Sequence, residues 1–540
     1  MQPILNIEDV RRVEQALTRE GVSISELMHR AGSAAAQEVI RMGDVARAAI
    51  LVGTGNNGGD GWVAAEELAA AGVKVTVVSP IPPDKIKGDL AKVVAVRAIS
   101  AGVPVVVGPP RSTLEELFSK ADVVLDGMLG TGFRGSPTAP YDIWIDTLNM
   151  SGARVVAIDV PSGLSAQTGH APGGCVFADV TVTMIALKPG LLSDEGRDAC
   201  GSIVVAPLAE QTARLVLDED PVAWRAELPD YLRVMAPPTS AVDKYSRGSV
   251  LVVAGSSRFP GAAVLAARAA ARAGAGYVTL AVPETIVPVV QSHLVEVPVV
   301  GLPAEQGGTF SSEGLDELRG LAARNSAVLV GPGMQVTSST VAVCSAMLEA
   351  DVPLVMDADA LNCLARLTSN RLDNFPELIR RTSQLVLTPH RRELGRLMGL
   401  PENPPDSLTS ALEASRRIVW ADGGSELVIV AKGNATACVG VNTAILPKPG
   451  PASLATAGTG DVLAGIIAAQ LARTRAEGDD LPLMCAYACE VHGYAGSIAA
   501  ERYGSTGVMA LDVANVVGIA VDVVEEHASA PFAGEDGQDA

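Results

Sequence analysis

The run Ala455-Thr456-Ala457-Gly458-Thr459-Gly460-Asp461 leads directly into Val462-Leu463-Ala464-Gly465-Ile466-Ile467, and it decides the fold class of the second half of the chain. Gly458 and Gly460 permit a tight turn that aims N–H groups into a cavity. The apolar helix that follows turns its positive dipole end toward the same space. Together they predict an anion hole. Asp461 stands in its mouth, placed to take a proton from a hydroxyl while the amides stabilise a phosphoryl group in transfer. Taken alone, the run is equally well read as a plain helix start with an acid near its dipole.

Working outward, other loops of the same kind follow expected strands. Lys432-Gly433-Asn434-Ala435-Thr436 follows Leu427–Ala431, and a lysine with a tight turn suits nucleotide phosphates. Thr388-Pro389-His390-Arg391-Arg392-Glu393 follows Gln384–Leu387; His390 is read either as a structural residue or, from its place at a strand end, as a substrate contact, and two arginines favour anions. Gly331-Pro332-Gly333-Met334 and Asp357-Ala358-Asp359-Ala360-Leu361 also end strands. Met334 and Leu361 are read as packing, and His492 as a structural residue in a helix.

The whole chain has 540 residues, too many for one core, so two or three domains are expected. Aromatic content of 3% with 48% hydrophobic residues suits β-branched strands covered by Ala-rich helices. A net charge of −20 argues against general affinity for nucleic acid or anionic membrane, so anionic substrates need local sites. The seven cysteines form no CxxC pair and suit reduced thiols in a cytoplasmic protein. Neither a signal peptide nor a membrane span is expected.

Strand and helix patterns alternate in two blocks. In the first, helices are expected at Asn6–Leu17 and Ile24–Ile40. Strands follow at Ala49–Val52, Val73–Ser79, Val103–Val107, Val123–Asp126, Val155–Asp159 and Val180–Met184. The second carries strands at Ser249–Ala254, Tyr277–Val282, Ala327–Val330, Leu354–Asp357, Gln384–Leu387 and Leu427–Ala431. Long helices at Ala262–Ala273, Ser338–Ala350 and Asp461–Ala472 intervene, and final helices at Met484–Arg502 and Ala510–Val521 are expected on the outside. The boundaries predicted are a domain over 1–215, a Pro-rich linker over 216–240, a second domain over 241–525 and a disordered acidic tail over 526–540.

The first block has its own glycine-rich loop, Gly53-Thr54-Gly55-Asn56-Asn57-Gly58-Gly59-Asp60-Gly61, between a strand and a helix. It contains GxGxxG, but the next strand ends at Ser79-Pro80 without the acid that would hold a ribose, which speaks against a redox dinucleotide site. The asparagines and Asp60 offer hard oxygen ligands for a cation beside a phosphate. Asp126-Gly127-Met128-Leu129-Gly130-Thr131-Gly132-Phe133-Arg134-Gly135-Ser136 and Asp159-Val160-Pro161-Ser162-Gly163 each begin with an acid at a strand end. Asn57, Asp126 and Asp159 are expected to converge on one crevice; the alternative is that the two acids cap loops.

NNGGDG at 56–61, the run from Asp126 to Ser136 and DVPSG at 159–163 resemble the epimerase domain of NAD(P)H-hydrate repair enzymes. The resemblance implies a Rossmann-like three-layer domain that interconverts the R and S epimers of hydrated NADH or NADPH. It implies that Asn56, Asn57, Gly58, Gly59 and Asp60, with Gly130, Thr131, Gly132, Phe133, Arg134, Gly135 and Ser136, contact the dinucleotide. Asn57, Asp126 and Ser162 would hold potassium, and Asp159 would contact substrate as the acid/base group. The second block is similar to the dehydratase domain fused to that epimerase in bifunctional members, through Ala254-Gly255-Ser256, Gly261-Ala262, Arg272–Gly276, GPG at 331–333, DADAL at 357–361, TPH at 388–390, Lys432-Gly433 and GTGD at 458–461. This implies a ribokinase-like α/β domain that dehydrates the S form using ADP or ATP with magnesium. Ala262, Gly333, His390 and Asp461 would contact the hydrate, with Asp461 as catalytic base. Lys432, Gly433, Asn434, Ala435, Thr436 and Gly460 would contact ADP. A homo-oligomer is the family's precedent. Arg391-Arg392 and Ala457 depart from the family pattern. The competing reading is a ribokinase-like small-molecule kinase behind a non-catalytic nucleotide-binding module.

Overall fold

The computed structural model describes residues 1–235, 247–371, 374, 384–404, 407–419, 426–474, 476–478 and 480–530. It divides into one compact unit of Gln2–Ala223 and a second from Trp224 onward.

The first unit holds a seven-stranded parallel sheet. Its spatial order is Val105–Val107, Lys74–Ser79, Arg47–Val52, Val123–Gly127, Arg154–Ile158, Val180–Met184 and Ser202–Ala206. Alternation along Arg47–Val52 builds the three layers. Ile50 and Val52 join a core with the helices Ile7–Arg19, Ile24–Arg41, Asn56–Ala70 and Asp89–Ser100, while Ala49 and Leu51 join another with Arg111–Lys120 and Tyr141–Asn149. The chain leaves Arg47–Val52 toward one edge and returns at Val123–Gly127 to build toward the other. Ligand crevices open at such a reversal, outside the carboxyl ends of the strands. Here the two strand ends touch: a Cβ at Gly53 would lie 1.9 Å from the Met128 carbonyl oxygen, so only glycine fits.

In the second unit, seven parallel strands run Glu426–Ala431, Gln384–Leu387, Leu354–Met356, Ala327–Val330, Ser249–Val253, Tyr277–Pro283 and Val299–Leu302. The antiparallel strands Ala437–Val439 and Ala444–Leu446 extend the sheet beyond Glu426–Ala431. The reversal falls between Ser249–Val253 and Ala327–Val330. At their ends Gly255 N–H donates to the Pro332 carbonyl (2.7 Å), and the Ser256 hydroxyl to that of Gly333 (2.7 Å).

Three expectations need correction. The segment read as a linker is ordered where described: Ala223–Arg225 pairs parallel with Ala444–Leu446, and Tyr231 is fully buried with its hydroxyl 3.4 Å from Glu490 Oε2. One anchoring aromatic leaves no period to read. The remainder of that segment, 236–240, lies outside the described residues. The helix Asp480–Tyr503 is not peripheral: Met484, Cys485, Ala486, Tyr487, Ala488 and Val491 are wholly buried. It is apolar on all sides, the pattern of a core helix, and Gly493 admits the backbone of Gly450. Finally, the last helix runs from Ala510 to Ser529, past the boundary drawn at 525; 531–540 lie outside the described residues.

Among the described residues no helix is long and apolar enough to cross a membrane, and all seven cysteines are buried and unbridged.

Candidate active sites

The first unit's crevice is a cavity of about 610 Å³, within the size range of small-molecule sites. Asn56, Asn57, Asp60, Gly130, Thr131, Gly132, Phe133 and Asp159 line it, and so do Glu14, Arg11 and Lys188. Gly58 and Gly59 lie behind the wall. A Cβ at Gly58 would stand 2.1 Å from the Gly53 carbonyl oxygen, and one at Gly59 would stand 2.6 Å from Met28. Arg134 and Gly135 border a smaller recess beside it. The Arg134 guanidinium donates to the carbonyls of Thr131 (2.9 Å) and Phe133 (2.7 Å), which braces its own loop. Ser136 packs toward Gly173, where a Cβ would come within 2.7 Å of its own.

Asp126 is buried beneath this loop. It accepts the Ser162 N–H (2.7 Å) and hydroxyl (2.5 Å) and the Met128 N–H (3.2 Å). Burial raises its carboxyl to about 6, while the bonds from Ser162 and Met128 hold it back. Both polar atoms of the Asn57 amide are buried and meet no hydrogen-bond partner among the described residues. Its side chain faces Gly130, where a Cβ would sit 3.1 Å from that of Asn57.

Asp159 ends the Arg154–Ile158 strand in a left-handed conformation, φ +66°, which aspartate tolerates better than most residues. Its Oδ1 accepts from Lys188 Nζ at 2.6 Å. Lys188 is fully buried and also donates to the Thr183 hydroxyl (2.7 Å) and the Met184 carbonyl (2.8 Å). All three ammonium protons are thus used. Sequence reasoning missed Lys188; the available sign was a lysine just after the strand Val180–Met184.

The second unit gathers its groups at the strand ends. Gly458 turns at φ +93° and the helix Thr459–Thr474 begins at once. The Thr459 hydroxyl pins the loop through the carbonyls of Leu454 (2.8 Å) and Thr456 (2.9 Å). Among the described residues, the N–H groups of Gly460 and Asp461 meet no protein acceptor, as the first turn of a helix leaves them.

Lys432 Nζ binds Asp357 Oδ1 at 2.7 Å, and Thr388 Oγ1 donates to the same oxygen at 2.6 Å. A Cβ at Gly460 would lie 3.4 Å from Lys432 Nζ, which puts the ammonium against the anion loop. The loops after two neighbouring strands are clamped by Lys432 N–H on the Pro389 carbonyl, 2.8 Å. Burial raises the Asp461 carboxyl to about 7; Asp357 adds to the rise and Lys432 opposes it. Burial likewise raises Glu393 to about 7. Burial alone would lower the Lys432 ammonium, but Asp357 and Glu393, with Asp461, reverse that and leave it raised.

His390 caps the helix Arg391–Met398. Its Nδ1 accepts the N–H groups of Arg392 (3.1 Å) and Glu393 (3.3 Å), and Glu393 accepts the His390 N–H (2.9 Å) in return. Burial and then the Lys432 charge lower the imidazole. Arg391 donates twice to the Pro404 carbonyl, at 3.1 and 2.7 Å, and so braces the loop that carries it. Gly333, at φ +64°, faces Ala262, with 2.9 Å between a Cβ there and that of Ala262. Lys432–Thr436 forms the turn between the antiparallel strands Glu426–Ala431 and Ala437–Val439. Met334 and Leu361 are buried packing, and His492 is a buried helical residue whose imidazole burial lowers to about 4.

A family model described as NAD(P)H-hydrate dehydratase matches residues 250–517, and one described as YjeF-related protein N-terminus matches 24–190. The bifunctional NAD(P)H-hydrate repair enzyme Nnr of Coxiella burnetii is 33% identical over 515 residues, 93% of this chain and 96% of that protein. The chain belongs to the bifunctional NAD(P)H-hydrate repair enzymes. Its counterpart in Escherichia coli is 33% identical across 94% of this chain and 91% of its own. A solved ADP/ATP-dependent NAD(P)H-hydrate dehydratase from Bacillus subtilis, co-crystallised with ATP and Mg²⁺, is 24% identical. It covers 55% of this chain and 97% of its own, with a TM-score of 0.44. The repair enzyme joins a three-layer unit built on a seven-stranded parallel sheet to a second α/β unit built on a mixed sheet.

Proposed function

We propose that the unit Gln2–Ala223 epimerises hydrated NADH and NADPH with Asp159 as acid/base group, and that the unit from Trp224 onward dehydrates the S epimer with Asp461 as base. One observation carries the second assignment: the Asp461 carboxyl, raised to about 7 by burial, stands beside N–H groups at a helix start that meet no protein acceptor among the described residues. Such a base takes the proton of the hydrate hydroxyl as that oxygen attacks the terminal phosphorus of ADP. AMP leaves, and the phosphorylated hydrate then loses inorganic phosphate and a ring proton to restore the dihydronicotinamide. Phosphate departs far more readily than hydroxide, which accounts for the nucleotide. The amides of Gly460 and Asp461 receive charge developing on the phosphoryl oxygens. Magnesium, when bound with the nucleotide, neutralises phosphate charge. With ADP as donor, AMP, inorganic phosphate and NADH should form in equimolar amounts. NADH formed without AMP or ADP as a nucleotide product would refute phosphoryl transfer.

Potassium fits the first unit. The Asn57 amide, which meets no partner among the described residues, supplies an oxygen, with Asp126 and Ser162 held together in the same loop system. The ion would add a fixed positive charge beside the substrate's phosphates and tie the glycine loop to the NNGGDG helix. Potassium should therefore raise the melting temperature of the wild-type protein and not that of Asn57→Ala. An equal rise in both would remove Asn57 from the site.

A further inference from the structure

Water adds to the enamine of a dihydronicotinamide at the carbon next to the ring nitrogen, so the stereocentre of the hydrate is a carbinolamine. Inverting such a centre by loss and return of water needs one group that protonates the departing hydroxyl and another that deprotonates the arriving water. The cavity holds a carboxylate suited to the second task, Asp159, fixed by Lys188 at 2.6 Å. It also holds Asp60 and Glu14, whose carboxyls meet no hydrogen-bond donor among the described residues. Asp60 follows the strand Arg47–Val52 and Asp159 follows Arg154–Ile158, with Val123–Gly127 between them. Asp60 itself stands one turn into the helix Asn56–Ala70, and its side chain and that of Asp159 line the same cavity.

We propose that Asp60 is a second catalytic residue of the epimerase, the proton donor that faces Asp159 across the substrate ring. This rests on the epimerase reading of the first unit. In the R-to-S direction Asp60 gives its proton to the hydroxyl, the C–O bond breaks and water departs. The ring nitrogen's lone pair forms a C=N⁺ bond. Water then adds to the other face, and its proton passes to the Asp159 carboxylate. Asp60 ends ionised and Asp159 protonated, the state that runs the S-to-R direction, and exchange with solvent restores the first.

The surroundings favour the protonated form of Asp60, as a proton donor requires. Burial holds the Asp60 carboxyl well above the usual carboxylate range, and the charges of Asp159 and Glu14 push it further. Glu14 is itself raised by burial and then by Asp159, with Lys188 and Arg11 opposing. Arg11, Glu14, Asp159 and Lys188 are the charged groups that share the cavity with Asp60.

The test uses the full chain, purified R-hydrate of NADH, chromatographic separation of epimers and water labelled with ¹⁸O. For the wild type, S product should carry solvent ¹⁸O, and the rate should fall on an alkaline limb as Asp60 ionises. Asp60→Asn should slow epimerisation by about 10²–10⁴-fold, leave hydrate affinity little changed and abolish the alkaline limb. Glu14→Gln removes a neighbouring negative charge and should move that limb to lower pH. This second variant decides the matter if Asp60→Asn does not fold. The proposal is overturned by unlabelled S product, by an Asp60→Asn rate near wild type, by a loss explained by weaker binding alone, or by an alkaline limb that neither variant moves. If the wild type does not epimerise at all, the epimerase reading falls instead.

Discussion

Asp461→Asn is expected to cut dehydration of the S epimer by about 10²–10⁴-fold, the usual contribution of a general base, while leaving ADP binding nearly intact. The geometry explains the separation. The N–H groups of Gly460 and Asp461 and the ammonium of Lys432 remain in place when a carboxylate becomes an amide of the same shape. The variant also removes a negative charge from an anion site, so nucleotide affinity has no reason to fall. The pH dependence gives a second readout. With the carboxyl raised to about 7 by burial and by Asp357, the wild-type rate should climb as pH rises through that region and the base loses its proton. Asp461→Asn should lack this limb. Glu393 titrates in the same range, but it spends its carboxylate on capping His390. A loss of ADP binding equal to the loss of rate would make Asp461 a structural residue.

Asp159→Asn should have a comparable effect on the other activity, lowering epimerisation by about 10²–10⁴-fold with the fold preserved. Asparagine is the replacement of choice for two physical reasons. The backbone sits at φ +66°, a region asparagine enters more readily than alanine. Its side-chain oxygen still accepts from Lys188, which is otherwise buried and 2.6 Å from its counter-ion. Both variants remove the counter-charge of Lys188, but Asp159→Ala removes the hydrogen-bond acceptor as well and would further confound chemistry with stability. Epimerisation rate and melting temperature measured together on both variants separate the two effects. Unchanged epimerisation in Asp159→Asn would sink the assignment of that residue.

The parallel strands were legible because their β-branched runs are bounded by glycine loops: Val180–Met184, Ala327–Val330 and Gln384–Leu387 lie where the pattern puts them. The loops of the candidate sites were legible for the same reason, since strand ends in such sheets face ligands. What escaped depends on tertiary contacts. Lys188 reads as a surface lysine until Thr183, Met184 and Asp159 close around it. Tyr231 is one aromatic in a Pro-rich segment, and only the sheet edge and Glu490 give it a place. The helix Asp480–Tyr503 has no polar face to betray its orientation. The arginines after His390 suggested an anion site by charge alone, and nothing in their spacing foretold the bonds from Arg391 to the Pro404 carbonyl. Gly58 and Gly59 look like ligand-contacting glycines, yet the backbone of Gly53 and the side chain of Met28 explain them by close packing.

The central claim is that one chain both interconverts the epimers and dehydrates one of them. The most direct measurement mixes the purified protein with hydrated NADH containing both epimers, adds ADP or ATP with magnesium and potassium, and follows absorbance at the NADH band. The account predicts recovery of both epimers with at least one nucleotide, faster than spontaneous epimerisation permits. A plateau at the S fraction, followed only by the spontaneous rate, would contradict catalysis by the first unit; no recovery with either nucleotide would contradict the account as a whole.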